Sequence, residues 1–153
     1  MRSLWAGAVL VLSLGFAASQ VLADMPEPKK SENANITAGR KAVEAKDYKT
    51  AVGHLTKAVQ EEPRNADAHS MLGYCYRKVG TFDKSMDHYQ TALKIDSNHR
   101  YALEYLGELY LDMNQLPNAE KQLATLKKAC PWFGKCEEFE DLKEAIEKYK
   151  AKK

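Results

Sequence analysis

Two cysteines near the carboxyl end of the chain could form a covalent link. Cys130 and Cys136 enclose the short segment CPWFGKC. In a protein exported to an oxidising compartment, two cysteines this close, joined through Pro and Gly, most simply form a disulfide. Thiol redox exchange is the other chemistry open to them, but the spacing is not the two-residue gap of redox motifs and no strand pattern surrounds it. We expect a structural disulfide and keep thiol redox handling as the alternative.

The third cysteine and the histidines show no metal-binding pattern. Cys75 lies next to Tyr76 in a helical pattern, and we expect it to be a small buried apolar group rather than a metal ligand or part of a mixed disulfide. No two histidines stand three or four residues apart, the spacing that chelates a metal from one helix. We interpret them as scattered surface residues and predict no metal and no other cofactor. Histidine and methionine are possible copper ligands, so copper binding remains an alternative, although these residues do not cluster in the sequence. The candidate ligands are His54, His69, His88, His99, Met71, Met86 and Met113.

Catalysis and binding to charged polymers are both disfavoured by the sequence. No nucleophile has a base at a suggestive spacing, there is no phosphate-binding loop, and the acids follow the intervals of exposed helices. We therefore predict that the protein is not an enzyme. Lys and Arg total 23 against 21 Asp and Glu, for a net charge of +2. Such a near-neutral surface offers no field for nucleic acid or for anionic lipid.

The chain repeats itself with a period of about 34 residues. The clearest unit runs from Ala66 to His99, where two helical stripes of small and apolar residues are separated by Gly80. This pattern predicts two short antiparallel helices. Shifting the frame by one period returns similar residue types at five slots: Gly39, Gly73 and Gly107; Tyr48, Phe82 and Leu116; Ala51, Ser85 and Ala119; Ala58, Ala92 and Leu126; Pro63, Ser97 and Pro131.

This period, with its Leu-Gly pair and an aromatic residue three positions on, resembles the tetratricopeptide repeat. The resemblance covers Glu32 to Phe133, with departures at Ala38, Ala42 and Ser97. It implies an all-α fold: a right-handed α-solenoid of three helix-turn-helix units, 32–65, 66–99 and 100–133, with a C-terminal capping helix in 134–153. The helices are expected at about Asn33–Ala45, Tyr48–Gln60, Asp67–Val79, Phe82–Ile95, Tyr101–Met113, Leu116–Ala129 and Glu137–Lys150.

Helix ends and the open end of the stack are predicted from individual residues. Asp47 and Thr81 are placed to cap the second helix of their units. The last unit of a solenoid leaves an apolar face open to water. Phe139, Leu142 and Ile146, followed by Tyr149, recur at helical spacing and can cover that face. The late lysines of this helix could instead form a basic docking tail, but we favour the capping helix.

Residues 1–31 differ in kind from the repeats. Arg2 precedes an almost uninterrupted apolar run from Leu4 to Ala18, and small or apolar residues lead up to Asp24. We predict a cleaved signal peptide over residues 1–23, although a retained membrane anchor remains the alternative. Residues 24–31 contain two prolines and are expected to be a flexible lead-in. The expected location is the periplasm, with no membrane contact after cleavage.

The resemblance also implies a binding groove, because the first helix of each unit lines the concave side in tetratricopeptide arrays. Tyrosines beside Arg are typical of peptide-binding surfaces, although Tyr74 and Tyr105 could simply pack between helices. The clamp of Lys, Asn and Arg that grips chaperone C-termini in this family is absent, since its slots hold Ile36, Arg40, Met71, Tyr101 and Tyr105. The expected groove residues are Ile36, Arg40, Val43, Ser70, Tyr74, Arg77, Lys78, Tyr101, Tyr105, Glu108 and Asp112.

The resulting interpretation is a non-enzymatic scaffold that binds a peptide or protein segment in this groove. The resemblance and the expected compartment imply an assembly or maturation factor for envelope or electron-transfer complexes. A thiol-redox or copper-handling factor is the alternative function. A further alternative is a self-assembling structural protein, because the open face of the first unit could support a homo-oligomer.

Overall fold

The computed structural model describes residues 32–132 and 135–152, and in these ranges the chain is helical with no strand. The signal peptide and the lead-in predicted for residues 1–31 lie outside the described residues. The seven helices are α1 (Ala34–Glu44), α2 (Tyr48–Glu61), α3 (Ala66–Lys78), α4 (Phe82–Ile95), α5 (Arg100–Asp112), α6 (Leu116–Ala129) and α7 (Glu137–Ala151).

The helices pack as three successive pairs, α1 with α2, α3 with α4 and α5 with α6, while α7 packs on both α5 and α6. Each pair also contacts the next, α2 against α3 and α4 against α5. The all-α tetratricopeptide solenoid is therefore confirmed. No helix among the described residues is both long enough and apolar enough to cross a membrane.

The three repeat glycines explain why the helices approach so closely. A Cβ atom at Gly39 would lie 2.6 Å from Leu55 Cγ, and one at Gly73 would lie 2.8 Å from the Tyr89 ring. The backbone of each first helix therefore lies directly against a large side chain of its partner helix. At Gly107 the atom that a Cβ would meet, 2.6 Å away, belongs to Leu142 of α7. The capping helix thus supplies to the third unit the contact that α2 and α4 supply to the first two.

The turns inside the three pairs use one backbone conformation at equivalent positions. Lys46, Gly80 and Asn114 occupy the same slot of successive units and have φ of 59°, 79° and 58°, the left-handed region that Gly and Asn adopt most easily. Asp47 then caps α2 by accepting a 3.1 Å hydrogen bond from the Thr50 amide. Thr81 occupies the corresponding position before α4, but its side chain makes no capping hydrogen bond.

The capping helix α7 is joined to the stack by apolar packing and by a disulfide. Leu142 and Ile146 are buried in one cluster with Leu103 and Leu126. The sulfurs of Cys130 and Cys136 are bonded at 1.99 Å, with the two Cα atoms 5.9 Å apart. The apolar face of α7 is thus occupied within the fold, while its late lysines Lys148 and Lys150 contact Glu144 and Glu120 at 2.6 Å.

Candidate protein-binding groove

A groove of about 510 Å³ opens on the face formed by the first helices of the three units. Each of α1, α3 and α5 contributes side chains from one stripe, because residues three and four positions apart share a helix face. The groove therefore crosses all three units. Its lining residues are Arg40, Val43, Asp67, Ser70, Met71, Tyr74, His99, Tyr101 and Tyr105, of which Arg40, Val43, Ser70, Tyr74, Tyr101 and Tyr105 are among the residues expected from the sequence.

Four tyrosines form a continuous set of ring contacts beside this groove, which we call the tyrosine ladder: Tyr101, Tyr105, Tyr74 and Tyr48. The Tyr101 and Tyr105 rings stack with centroids 6.1 Å apart, and Tyr105 lies 5.0 Å from Tyr74. Tyr74 meets Tyr48 edge-on at 5.9 Å. Tyr101 is 52% exposed, whereas Tyr74 and Tyr105 are partly buried. Tyr74 and Tyr105 thus do both things that the sequence left open: they pack between helices and they line the groove.

The buried members of the ladder keep their hydroxyl protons. Desolvation, and then a hydrogen bond with Tyr48, raises the pKa of Tyr74 to about 12. Burial, followed by the charge of Glu104, also raises the pKa of Tyr105. Both hydroxyls are therefore neutral at any physiological pH. The hydroxyl of Tyr74 is engaged with Tyr48.

The charged side chains of the groove lining already have polar partners. Arg40 contacts Glu32 at 2.7 Å. His99 Nδ1 accepts a hydrogen bond from the Ala102 amide, so its Nε2 carries the proton and donates to Asp67 Oδ1 at 2.9 Å. Arg40 and Asp67 are thus opposite charges at different parts of one groove, and the lining has little net field.

Lys78, another expected groove residue, lies at the rim rather than in the lining. Its ammonium nitrogen is 5.1 Å from the centre of the Tyr74 ring. This is a cation–π distance. Lys78 therefore supports the ladder from outside the groove.

Arg77, Glu108 and Asp112 do not line the groove, contrary to the expectation. Arg77 Nε lies 2.6 Å from Asp112 Oδ2, and a second guanidinium nitrogen bonds Glu108. The Arg77 side chain is only 12% exposed and the Asp112 side chain is 39% exposed, so the three residues form a partly buried ion-pair cluster between α3 and α5. This cluster borders a separate cleft of about 190 Å³ next to α7, which is also lined by Leu111, Ala145, Lys148, Tyr149 and Lys152.

Ile36 is also placed differently from the expectation. It is 4% exposed and packs with Ala58 and Ala68 in a core cluster. The equivalent position in the second unit is Ser70, which is buried but still borders the groove. The slot thus belongs to the helix interface, where a branched apolar side chain is buried for its hydrophobic surface.

Three lining residues were not among the expected binding residues: Asp67, His99 and Met71, which the sequence analysis named only as the occupant of a clamp slot. Two of them could have been found by the repeat itself, because Asp67 and Met71 occupy the slots that hold Tyr101 and Tyr105 one period later. His99 precedes α5 and enters the groove through its bond to Asp67. No periodic pattern marks that position.

The histidines are not scattered over the surface as expected. His69 and His99 are buried, and His69 Nδ1 lies 3.1 Å from His88 Nδ1. The described part of the chain contains no group of three or more side chains that could hold a metal ion. His69 Nε2 lies 3.2 Å from the Pro63 carbonyl and donates to it. Its Nδ1 is therefore the acceptor, and His88 Nδ1 carries the shared proton.

Cys75 is fully buried, and desolvation raises the pKa of its thiol to about 12. Reactivity requires the thiolate. The free cysteine of the repeats is therefore an inert core residue, which weakens the redox alternative.

The class of protein follows from this geometry: stacked helix pairs with a groove across their first helices define an α-helical repeat protein. The model of one protein family, described as anaphase-promoting complex, cyclosome, subunit 3, matches residues 44–126, more than half of the chain. The chain therefore belongs to this family of tetratricopeptide repeat proteins, and the resemblance seen in the sequence is confirmed.

A curated protein is similar in sequence to most of this chain. Tetratricopeptide repeat protein 37 of Xenopus laevis is 26% identical over 129 residues, which are 78% of this chain but only 8% of that protein. The chain thus spans less than a tenth of this curated relative.

Two solved structures are similar at low identity. The Yersinia enterocolitica secretion chaperone SycD, in complex with a peptide of the translocator YopD, has a TM-score of 0.68 at 16% identity, covering 77% of this chain and 91% of that one. The second repeat domain of human RPAP3, in complex with the HSP70 peptide SGPTIEEVD, has a TM-score of 0.65 at 16% identity, covering 76% and 92%. At these identities the likeness shows the fold.

Proposed function

We propose that this protein is a non-enzymatic scaffold that binds a segment of a partner protein in the groove across α1, α3 and α5. The observation that carries the proposal is the tyrosine ladder, which brings aromatic surface and neutral hydroxyl donors into one concave site. Tyrosine is a favoured contact residue because it brings large area and a polar group at low entropy cost. The peptide complexes of SycD and RPAP3 support the same use of the fold.

The finer parts of the function rest on the sequence. The apolar run near the amino end supports export to the periplasm. In that compartment a small interaction protein would act as an assembly or maturation factor for envelope or electron-transfer complexes.

Site-specific photo-crosslinking in cells tests the binding site. A benzoylphenylalanine at position 101 replaces the most exposed ring of the ladder, and the same residue at position 132 replaces Trp132, which is 94% exposed and outside the groove. We expect a discrete adduct from position 101 and none of that mass from position 132. Adducts from position 132 alone, or equal adducts from both positions, would place the binding site elsewhere.

A further inference from the structure

We propose that the segment bound in the groove is a neutral, proline-containing segment in the extended polyproline II conformation, whose rings pack on the tyrosine ladder. This inference rests on the proposed function, since it names the chemical class of the segment. It is carried by three properties of the groove: the spacing of the ladder, the hydroxyl groups it presents and the balance of charge around it.

The upper limit on the length of the ladder leaves room for one turn of a polyproline II helix. The steps from Tyr101 to Tyr105 and from Tyr105 to Tyr74 measure 6.1 and 5.0 Å, so the outer two rings lie no more than about 11 Å apart. Polyproline II rises ~3.1 Å per residue with three residues per turn, or about 9 Å between equivalent side chains. Two prolines separated by two residues can therefore contact the two ends of the Tyr101–Tyr74 series together.

The chemistry of the ladder also fits this conformation. Grooves lined by aromatic rings bind proline-rich segments, because the flat pyrrolidine rings pack on aromatic faces and the segment is already ordered before it binds. Polyproline II has no internal hydrogen bonds, so its carbonyl groups need external donors. The hydroxyl of Tyr105 can supply one, whereas the hydroxyl of Tyr74 already bonds Tyr48. A helical ligand would offer no free carbonyls except at its end.

The charge around the groove selects against the acidic peptide seen with the similar repeat domain of RPAP3. That peptide, SGPTIEEVD, carries three acidic residues. In this groove Arg40 is engaged by Glu32, and Asp67 adds a negative charge bonded to His99. Arg77 of α3 is bonded to Glu108 and Asp112, and Lys78 lies at the rim over the Tyr74 ring. A neutral segment loses little on entering such a site, whereas an acidic one gains no compensating pair.

The test is isothermal titration of the purified full chain with synthetic nine-residue peptides. The probe is oligoproline, and the matched control peptide has the same length with the prolines replaced by alternating Ala and Ser. We expect oligoproline to bind at least tenfold more tightly than the control peptide. Tyr101→Ala should weaken oligoproline binding about tenfold, while Trp132→Ala, which truncates an exposed aromatic residue outside the groove, should leave it unchanged.

The outcomes separate this inference from the proposed function. Equal binding of both peptides, lost in Tyr101→Ala, would overturn the preference for proline and leave the groove as the binding site. Absence of saturation by oligoproline up to about 1 mM, the limit of weak specific binding, would also overturn it, and the crosslink at position 101 would then decide the proposed function separately. A concentration-dependent dimer that Tyr101→Ala dissociates would assign the groove to a second copy of the chain and overturn the proposal.

Discussion

Glu104 of α5 has a buried carboxyl group, and its surroundings disfavour the charged form. It is 6% exposed, and burial, followed by the charges of Glu108, Asp141 and Glu138, raises its pKa from 4.5 to about 8. The folded protein therefore keeps a proton that the unfolded chain releases above pH 4.5. Linkage then requires the free energy of unfolding to fall as the pH rises from about 4.5 to about 8.

Replacing this carboxyl with an amide should remove its contribution to the pH dependence of the free energy of unfolding. We expect Glu104→Gln to match the wild type near pH 5 and to exceed its stability at pH 9 by on the order of 2 kcal/mol or more, since each pKa unit is worth about 1.4 kcal/mol. Urea unfolding at both pH values measures the difference. Glu147→Gln, at an exposed position of α7, is the control and should change little. Parallel pH profiles for the wild type and Glu104→Gln would contradict the assignment.

At the scale of elements, the Arg77 cluster ties α3 to α5. Removing the guanidinium of Arg77 would leave Glu108 and Asp112 close together without their cation. We expect Arg77→Ala to lower the free energy of unfolding by about 2–3 kcal/mol, below the full effect for a buried pair because the Asp112 side chain is 39% exposed. This differs from the sequence-based expectation that Arg77 lines the groove, because its guanidinium bonds Glu108 and Asp112 instead.

A neighbouring residue provides the matched control for Arg77. Lys78→Ala removes a cation that lies over the Tyr74 ring, and such a contact contributes about 0.5–1 kcal/mol at an exposed site. Thermal and chemical unfolding of both variants should therefore separate them clearly. If Arg77→Ala is no less stable than Lys78→Ala, the ion pairs contribute nothing to the joint between the helices.

The disulfide that links α6 to α7 should also contribute to the stability of the fold. The bond between Cys130 and Cys136 closes a short loop, which is worth about 2 kcal/mol by the chain-entropy argument. Reduction should therefore lower the melting temperature without unfolding the protein, because Leu142 and Ile146 still hold α7 against the stack. A Cys130→Ser/Cys136→Ser variant should melt at the reduced temperature with or without reductant. An unchanged wild-type melting curve, with the thiols shown to be free, would contradict this role.

At the scale of the whole molecule, export predicts a defined start of the mature chain. Signal peptidase needs small residues before its cleavage site, and Ala23 precedes Asp24. Mass spectrometry of the protein from the periplasmic fraction should find Asp24 at the amino end. Ala23→Asp should block the processing and retain the longer chain. An intact Met1 end on wild-type protein in the membrane fraction would support the anchor instead.

The sequence by itself determined the repeats, the helices and the slots of close approach. The helices begin and end within one or two residues of the expected positions, because periodicity, glycine and capping residues act over a few neighbours. The three glycines that recur once per repeat all proved to lie against large side chains. Six of the expected groove residues line the cavity of about 510 Å³, because the first helix of every unit presents the same stripe to the same side.

Only the tertiary structure decided which partners those positions have. Arg77 could be assigned to an open groove until its side chain was seen bonded to Glu108 and Asp112, 31 and 35 residues away in sequence. The contact partner of Gly107 was also not predictable, because it is Leu142 of α7 rather than a residue of its own helix pair. The contact between His69 and His88 likewise appeared only in the structure. A helical pattern specifies the direction of a side chain from its own axis, but its charge partner and its burial depend on how neighbouring helices are displaced and turned. Those displacements arise from packing between residues far apart in the chain, which no local pattern encodes.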